Sequence, residues 1–328
     1  MLRSGEFRAE PTRPAPWLGC GMKAVSRRTF ALLCVSCVLA ACGSGAAPSS
    51  SHSSASSGSR TPTVVPVSCT QAQRSVKSGD YKRTLTVGAG STQRYWTVVP
   101  PAYDATRAAP LYLLVAVGDG DPDTNYPAWK AWFAGVKGLL VVAGAQYNDE
   151  GTPALLSALL DRLENDYCID RGQVHVIGAS SSAWKAAQFA CAASDRVASF
   201  AASLGDFQPA SCPRAASNGS TFGPPVRPVP VVAYTGAEDL DATVRAAQSW
   251  AKTNGCSADP LVEDLGSGVT KKTYQHCRAD VVLYELANLG HQFPMHTCTG
   301  PGAWICAPYK QIDSVELWTT FFATHQLS

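Results

Sequence analysis

In Val174-His175-Val176-Ile177-Gly178-Ala179-Ser180-Ser181-Ser182, a β-branched run breaks into glycine and serine and is followed at once by alanine-rich helical sequence. A strand that turns sharply into a helix needs this composition, because only small side chains fit on either side of the apex residue. The stretch predicts a nucleophile elbow with Ser180 at its apex and the hydroxyl projecting from a sheet edge. Alanine- and serine-rich chains also produce G-x-S by chance. The reading therefore depends on whether an acid and a histidine follow at matching places.

The surrounding pattern supplies a sheet for the elbow. Leu85-Thr86-Val87 and Tyr95 to Val99, separated by Gly88-Ala89-Gly90-Ser91, predict an antiparallel hairpin at one sheet edge. Three apolar runs follow, Leu111 to Val117, Leu139 to Ala143 and Val174 to Ile177, with helical segments between them. Continuous apolar strands alternating with helices are the mark of a parallel sheet covered on both faces. Leu155, Leu159 and Leu163 recur at helical spacing, and Ala183, Ala186, Ala187 and Ala190 form a small-residue face after the elbow. Two more strands are expected at Val229 to Tyr234 and Val281 to Leu286, then a closing helix with Ile312, Val315, Trp318 and Phe322 on one face.

Those last two strands end on the missing partners. Asp239 follows the first within Thr235-Gly236-Ala237-Glu238-Asp239, and His291 follows the second within Asn288-Leu289-Gly290-His291. The carboxyl edge of an open α/β sheet is where ligands bind, and serine, acid, histidine is the triad order of α/β-hydrolases. In that arrangement His291 takes the Ser180 proton during attack on an ester carbonyl, while Asp239 fixes the imidazole tautomer. Taken singly, a serine in a tight turn, an aspartate after a strand and a lone histidine are ordinary structural residues. Their order and their common place at strand ends favour the triad.

Beyond these residues, the chain resembles the exported esterases that include poly(3-hydroxybutyrate) depolymerases and feruloyl esterases. The likeness runs from Cys69 onward and includes Tyr95 to Val99 with Pro101-Ala102-Tyr103-Asp104, Tyr167-Cys168-Ile169-Asp170, Ala190-Cys191, Asn254-Gly255-Cys256, Tyr274-Gln275-His276-Cys277 and the Ile312 to His325 helix. It implies an α/β-hydrolase fold with a mostly parallel central sheet, helices on both faces, and serine-esterase chemistry without metal or organic cofactor. It does not select the ester. Two departures lie near the chemistry. Where such esterases carry His-Gly-Gly, this chain reads Val115-Ala116-Val117-Gly118-Asp119-Gly120, and Ser182 stands where glycine is usual. An oxyanion hole needs backbone N–H groups, so Ser181 plus Val117 or Gly118 is expected to supply it. The Asp119, Asp121 and Asp123 alternation also suggests a cation loop, but the EF-hand spacing and terminal glutamate are missing, and an acidic turn suffices. Trp129 and Trp132, with Tyr126 nearby, are either cleft walls or helix core, with at least one expected in the core.

Arg27-Arg28 precede an apolar stretch from Phe30 to Ala41 that ends in Leu39-Ala40-Ala41-Cys42. This is an export signal resembling a lipobox, with Cys42 the expected lipidation site. Ser26 to Phe30 also resembles a twin-arginine signal. Met22-Lys23 begins a signal of ordinary length, so residues 1–21 are set aside. The expected organisation is an N-terminal extension and signal over 1–41, a Ser/Ala/Gly-rich tether over 42–68 and a catalytic domain over 69–328. Eight cysteines follow Cys42: Cys69, Cys168, Cys191, Cys212, Cys256, Cys277, Cys298 and Cys306. In an exported chain an even count without C-x-x-C spacing favours disulfides over a metal site. Cys256 with Cys277 and Cys298 with Cys306 are the preferred local pairs, and connectivity otherwise stays open.

With a net charge of +2, the chain offers no electrostatic case for nucleic acid or anionic membrane partners. The expected partners are an ester substrate and, through the lipid anchor alone, a membrane. A monomer at the cell surface or secreted is expected. Two functions compete: an esterase acting on a polyester, a feruloylated or acetylated glycan or a small ester, and a silent surface binding lipoprotein that keeps the fold.

Overall fold

A computed structural model describes residues 68–87, 91–145, 152–209, 225 and 227–327. The predicted hairpin is β1 (Gly79–Val87) and β2 (Ser91–Val99), paired antiparallel in register over their full length. Next come β3 (Ala109–Val115), helix α2 (Pro122–Trp132), β4 (Leu139–Ala143), α3 (Thr152–Asp166) and β5 (Ile169–Ala179). The short helix α1 (Gln71–Arg74) precedes them all, held by a Thr70 and Gln73 capping box. Beyond the elbow lie α4 (Ala183–Ala192), β6 (Ser199–Ser203), β7 (Val231–Gly236), α5 (Leu240–Thr253), β8 (Leu261–Gly266), β9 (Val269–Thr273) and β10 (Val281–Leu286). The described chain closes with β11 (Phe293–Met295), β12 (Cys306–Pro308) and α6 (Ser314–Thr324).

Ten strands form one sheet in the order β1-β2-β4-β3-β5-β6-β7-β10-β9-β8. The centre, from β4 to β10, is parallel throughout. The β1–β2 hairpin adds antiparallel at one edge and the β8–β9 hairpin at the other. Every residue of β4, β6 and β7 is buried, as a sheet covered on both faces requires. On one face, Leu156 and Leu160 of α3, Ala187 of α4 and Trp250 of α5 pack into a core with Val176 and Phe200. On the other, Trp129 of α2 and Trp318 and Phe322 of α6 pack against Ile177, Val232 and Tyr234. This strand order, with β2 antiparallel and a strand-turn-helix elbow at the end of β5, is the α/β-hydrolase fold.

Disulfides staple the domain. Cys256–Cys277 and Cys298–Cys306 form as the preferred local pairs, and Cys69–Cys168 ties the start of the domain to the head of β5. Cys191 is also disulfide-bonded, while Cys212 lies outside the described residues, as do Cys42, the signal and the tether up to residue 67. Among the described residues no helix is long and apolar enough to cross a membrane.

Candidate active site

At the elbow the backbone is forced into an unusual shape. Ser180 sits at φ +51°, a conformation disfavoured for a residue with a side chain and retained where the surroundings fix it. Residues Ser180–Ser182 make one 3-10 turn before α4 begins. The small-residue requirement is visible at Gly178, where an added Cβ would stand 2.3 Å from the Ala186 Cβ. Ser182 is 1% exposed. Its Oγ accepts the Ala179 N–H at 3.2 Å and lies 2.9 Å from the carbonyl oxygens of Val115 and Ala179, available to its single proton. A glycine has no hydroxyl, so this link between the elbow and the end of β3 is specific to the serine.

Two further strand ends complete the arrangement. Asp239 closes a 3-10 turn directly after β7, and His291 follows β10. The two loops are joined by backbone: Ala237 N–H donates to Leu289 O at 2.8 Å. Gly236 permits that approach, since a Cβ there would lie 2.4 Å from the carbonyl oxygens of Leu289 and Gly290. His291 Nδ1 then stands 2.7 Å from Asp239 Oδ2, and His291 Nε2 stands 2.7 Å from Ser180 Oγ. A carboxylate only accepts hydrogen bonds, so Nδ1 carries the imidazole proton and Nε2 is left to accept from the serine hydroxyl. All three residues singled out in the sequence meet in one hydrogen-bonded line. Chemically, this line can lower the cost of removing the Ser180 proton as the oxygen attacks an electrophile.

The loop after β3 corrects one expectation. Val117 N–H is occupied, donating to Asn125 Oδ1 at 3.0 Å, so Val117 does not serve as an oxyanion donor. Gly118 has φ +68°, and its N–H has no acceptor among the described residues. Ser181 presents its N–H in the first turn after the elbow, where amides lack intrahelical partners, while its hydroxyl donates to Gly118 O at 3.0 Å. Of the two loop amides expected there, only that of Gly118 is without an acceptor among the described residues. Asn125, in the first turns of α2, was not singled out in the sequence. An asparagine four residues past the N-cap Asp121 reads as an ordinary polar helix residue, and only the fold carries it to Val117.

The remaining candidates fall into structural roles. Asp119 Oδ1 accepts Asp121 N–H, Asp121 caps α2, and Asp123 binds Lys82, Arg94 and Trp96. Trp129 is fully buried and Trp132 packs beside it against Phe293, so both belong to the core, while Tyr126 stacks on Trp96. A cavity of about 670 Å³ lies along α6 and β10, lined by Tyr284, Leu317 and Phe321, and none of Ser180, Asp239 or His291 borders it. His291 is itself open to solvent, with 44% of its side chain exposed.

No protein-family model matches the chain, and no curated protein matches it. Solved structures share likenesses at low identity. An acetyl xylan esterase from Aspergillus awamori has a TM-score of 0.47 at 12% identity, over 64% of this chain and 94% of its own. A thermostable esterase has a TM-score of 0.46 at 12% identity, over 76% of this chain and 63% of its own. An isopeptidase with a bound astexin peptide has a TM-score of 0.39 at 13% identity, over 54% of this chain. The chain spans 34% of the length of that isopeptidase.

Proposed function

We propose that this chain is an exported serine hydrolase of carboxylic esters, anchored at the cell surface through Cys42. The observation that carries the reading is the unbroken line Asp239–His291–Ser180, at 2.7 Å in both links. Ser180 Oγ attacks the ester carbonyl carbon, its proton passes to His291 Nε2, and the carbonyl π pair becomes an oxyanion facing the Ser181 and Gly118 amides. Collapse expels the alkoxide, which takes the proton back from His291 and leaves an acyl group on Ser180. Water, deprotonated by the same imidazole, then attacks the acyl carbon, releases the acid and restores the serine. Asp239, 2.7 Å from Nδ1, orients the ring and stabilises the imidazolium. The binding-protein reading rested on the altered loop after β3, and the Gly118 amide of that loop, with no acceptor among the described residues, favours turnover instead.

The acyl and alcohol groups belong to a polyester, a feruloylated or acetylated glycan, or a small ester, and a panel of p-nitrophenyl esters, methyl ferulate and a polyester emulsion discriminates among them. The test of the chemistry is His291→Ala. Removing the base from a working triad costs about 10³-fold or more in kcat, so hydrolysis of p-nitrophenyl butyrate is expected to fall to near background. Activity that survives the change means another base is at work.

A further inference from the structure

Asn125 is 3% exposed and uses its whole hydrogen-bonding capacity. Oδ1 accepts from Val117 N–H at 3.0 Å and from Trp129 Nε1–H at 3.4 Å, while Nδ2 donates to Val117 O at 3.1 Å and to Asp121 O at 3.0 Å. The side-chain amide grips both polar groups of Val117, as a neighbouring strand would, two residues past the end of β3. The Val117 carbonyl shares its peptide plane with Gly118 N–H. In a trans peptide the two point in opposite directions, so holding the carbonyl aims the N–H. The following peptide is held as well, because Ser181 Oγ donates to Gly118 O at 3.0 Å. Val117 O accepts a further bond from Gly120 N–H, and Gly120 O accepts from Ala145 N–H, which tie the loop to the end of β4.

We infer that Asn125 is the positioning residue of the oxyanion loop: it orients the Val117–Gly118 peptide so that Gly118 N–H faces the charge developing beside Ser180, with Ser181 Oγ holding the next peptide. This inference rests on the hydrolase reading above.

The test compares the wild-type chain with Asn125→Asp and Ser181→Ala, reading kcat and KM on p-nitrophenyl butyrate and the inhibition constant of an aryl trifluoromethyl ketone. That ketone accepts Ser180 Oγ at its carbonyl carbon, passes the serine proton to His291 and leaves an oxyanion, so its affinity reports the hole directly. Aspartate at 125 still accepts from Val117 N–H but loses both donors and repels the Val117 and Asp121 carbonyls. Its kcat is expected to fall about 10- to 100-fold with KM nearly unchanged, and the ketone to bind weaker by a similar factor. Ser181→Ala leaves the backbone amide in place on a half-buried residue, and a loss of about threefold to tenfold in both readouts is expected. A folded Asn125→Asp protein with unchanged kcat and ketone affinity overturns the inference. A change in KM alone does the same. If Asn125→Asp does not fold, unchanged values in Ser181→Ala overturn it and a parallel loss in both readouts supports it. A wild-type chain that neither turns over ester nor binds the ketone brings down the hydrolase reading, and this inference with it.

Discussion

Ser182 shows how one side chain at the elbow couples two strands. Its hydroxyl, itself buried, accepts from the end of β5 and reaches the last carbonyl of β3. Removing one partner of a buried hydrogen bond leaves the other group desolvated, at a cost of about 1–3 kcal/mol. Ser182→Ala is therefore expected to lower unfolding free energy by about that amount, measured by urea denaturation, while keeping Ser180 reactive. No loss of stability means that the hydroxyl is not a structural link. At this scale the site was readable in the sequence to the extent that its chemistry demands particular side chains. Serine, aspartate and histidine at three strand ends were legible because few residue types do their work. The choice between Val117 and Gly118 was not, because backbone donors leave no mark on residue type and the side chain that decides between them lies eight residues further on.

Among the elements, β5 carries a second histidine with an opposite role. His175 is almost fully buried, with Nδ1 2.8 Å from Ser199 Oγ and its ring stacked on Phe322 of α6 at 4.5 Å and near Tyr112 of β3 at 5.8 Å. Burial, with the nearby His325 adding to it, pushes its pKa down to about 3. The folded state holds His175 neutral, whereas the unfolded chain protonates it below its ordinary value near 6.5. Between those two values the unfolded state binds more protons, so this contribution to stability is complete above pH 6.5 and declines as pH falls toward 3. The slope approaches about 1.4 kcal/mol per pH unit at most. Unfolding free energies measured from pH 7 to pH 4 are expected to decline less steeply in His175→Gln than in the wild-type chain. Equal slopes mean that His175 titrates in the folded protein.

Element boundaries were legible where burial is complete and residues are β-branched. The predicted β4 and β10 coincide with the observed strands, whereas β6, Ser-Phe-Ala-Ala-Ser, is buried throughout yet too small in composition to signal a strand. The β8–β9 hairpin was hidden for a different reason. Its turn at Gly266, Ser267 and Gly268 has positive φ at each residue, and Leu261, Val262 and Leu265 are exposed, so neither periodicity nor burial marks it.

Over the whole molecule, the order of a parallel sheet turns distant sequence into one site. Ser180 and His291 lie 111 residues apart and Asp239 and His291 lie 52 apart, yet β5, β7 and β10 end on the same edge of the sheet. The alternation of strand and helix announced that edge, and the local disulfides Cys256–Cys277 and Cys298–Cys306 were legible as close pairs. Strand order and the pairing of Cys69 with Cys168 were not, because both depend on contacts across the fold that no local pattern encodes. The central claim is that this edge makes Ser180 nucleophilic. The most direct measurement is labelling of the folded chain with a fluorophosphonate, followed by mass mapping of the adduct. One phosphonyl group on Ser180, absent in Ser180→Ala and strongly slowed in His291→Ala, is the result the account predicts. A folded protein that stays unlabelled, or that carries the adduct on another residue, would contradict it.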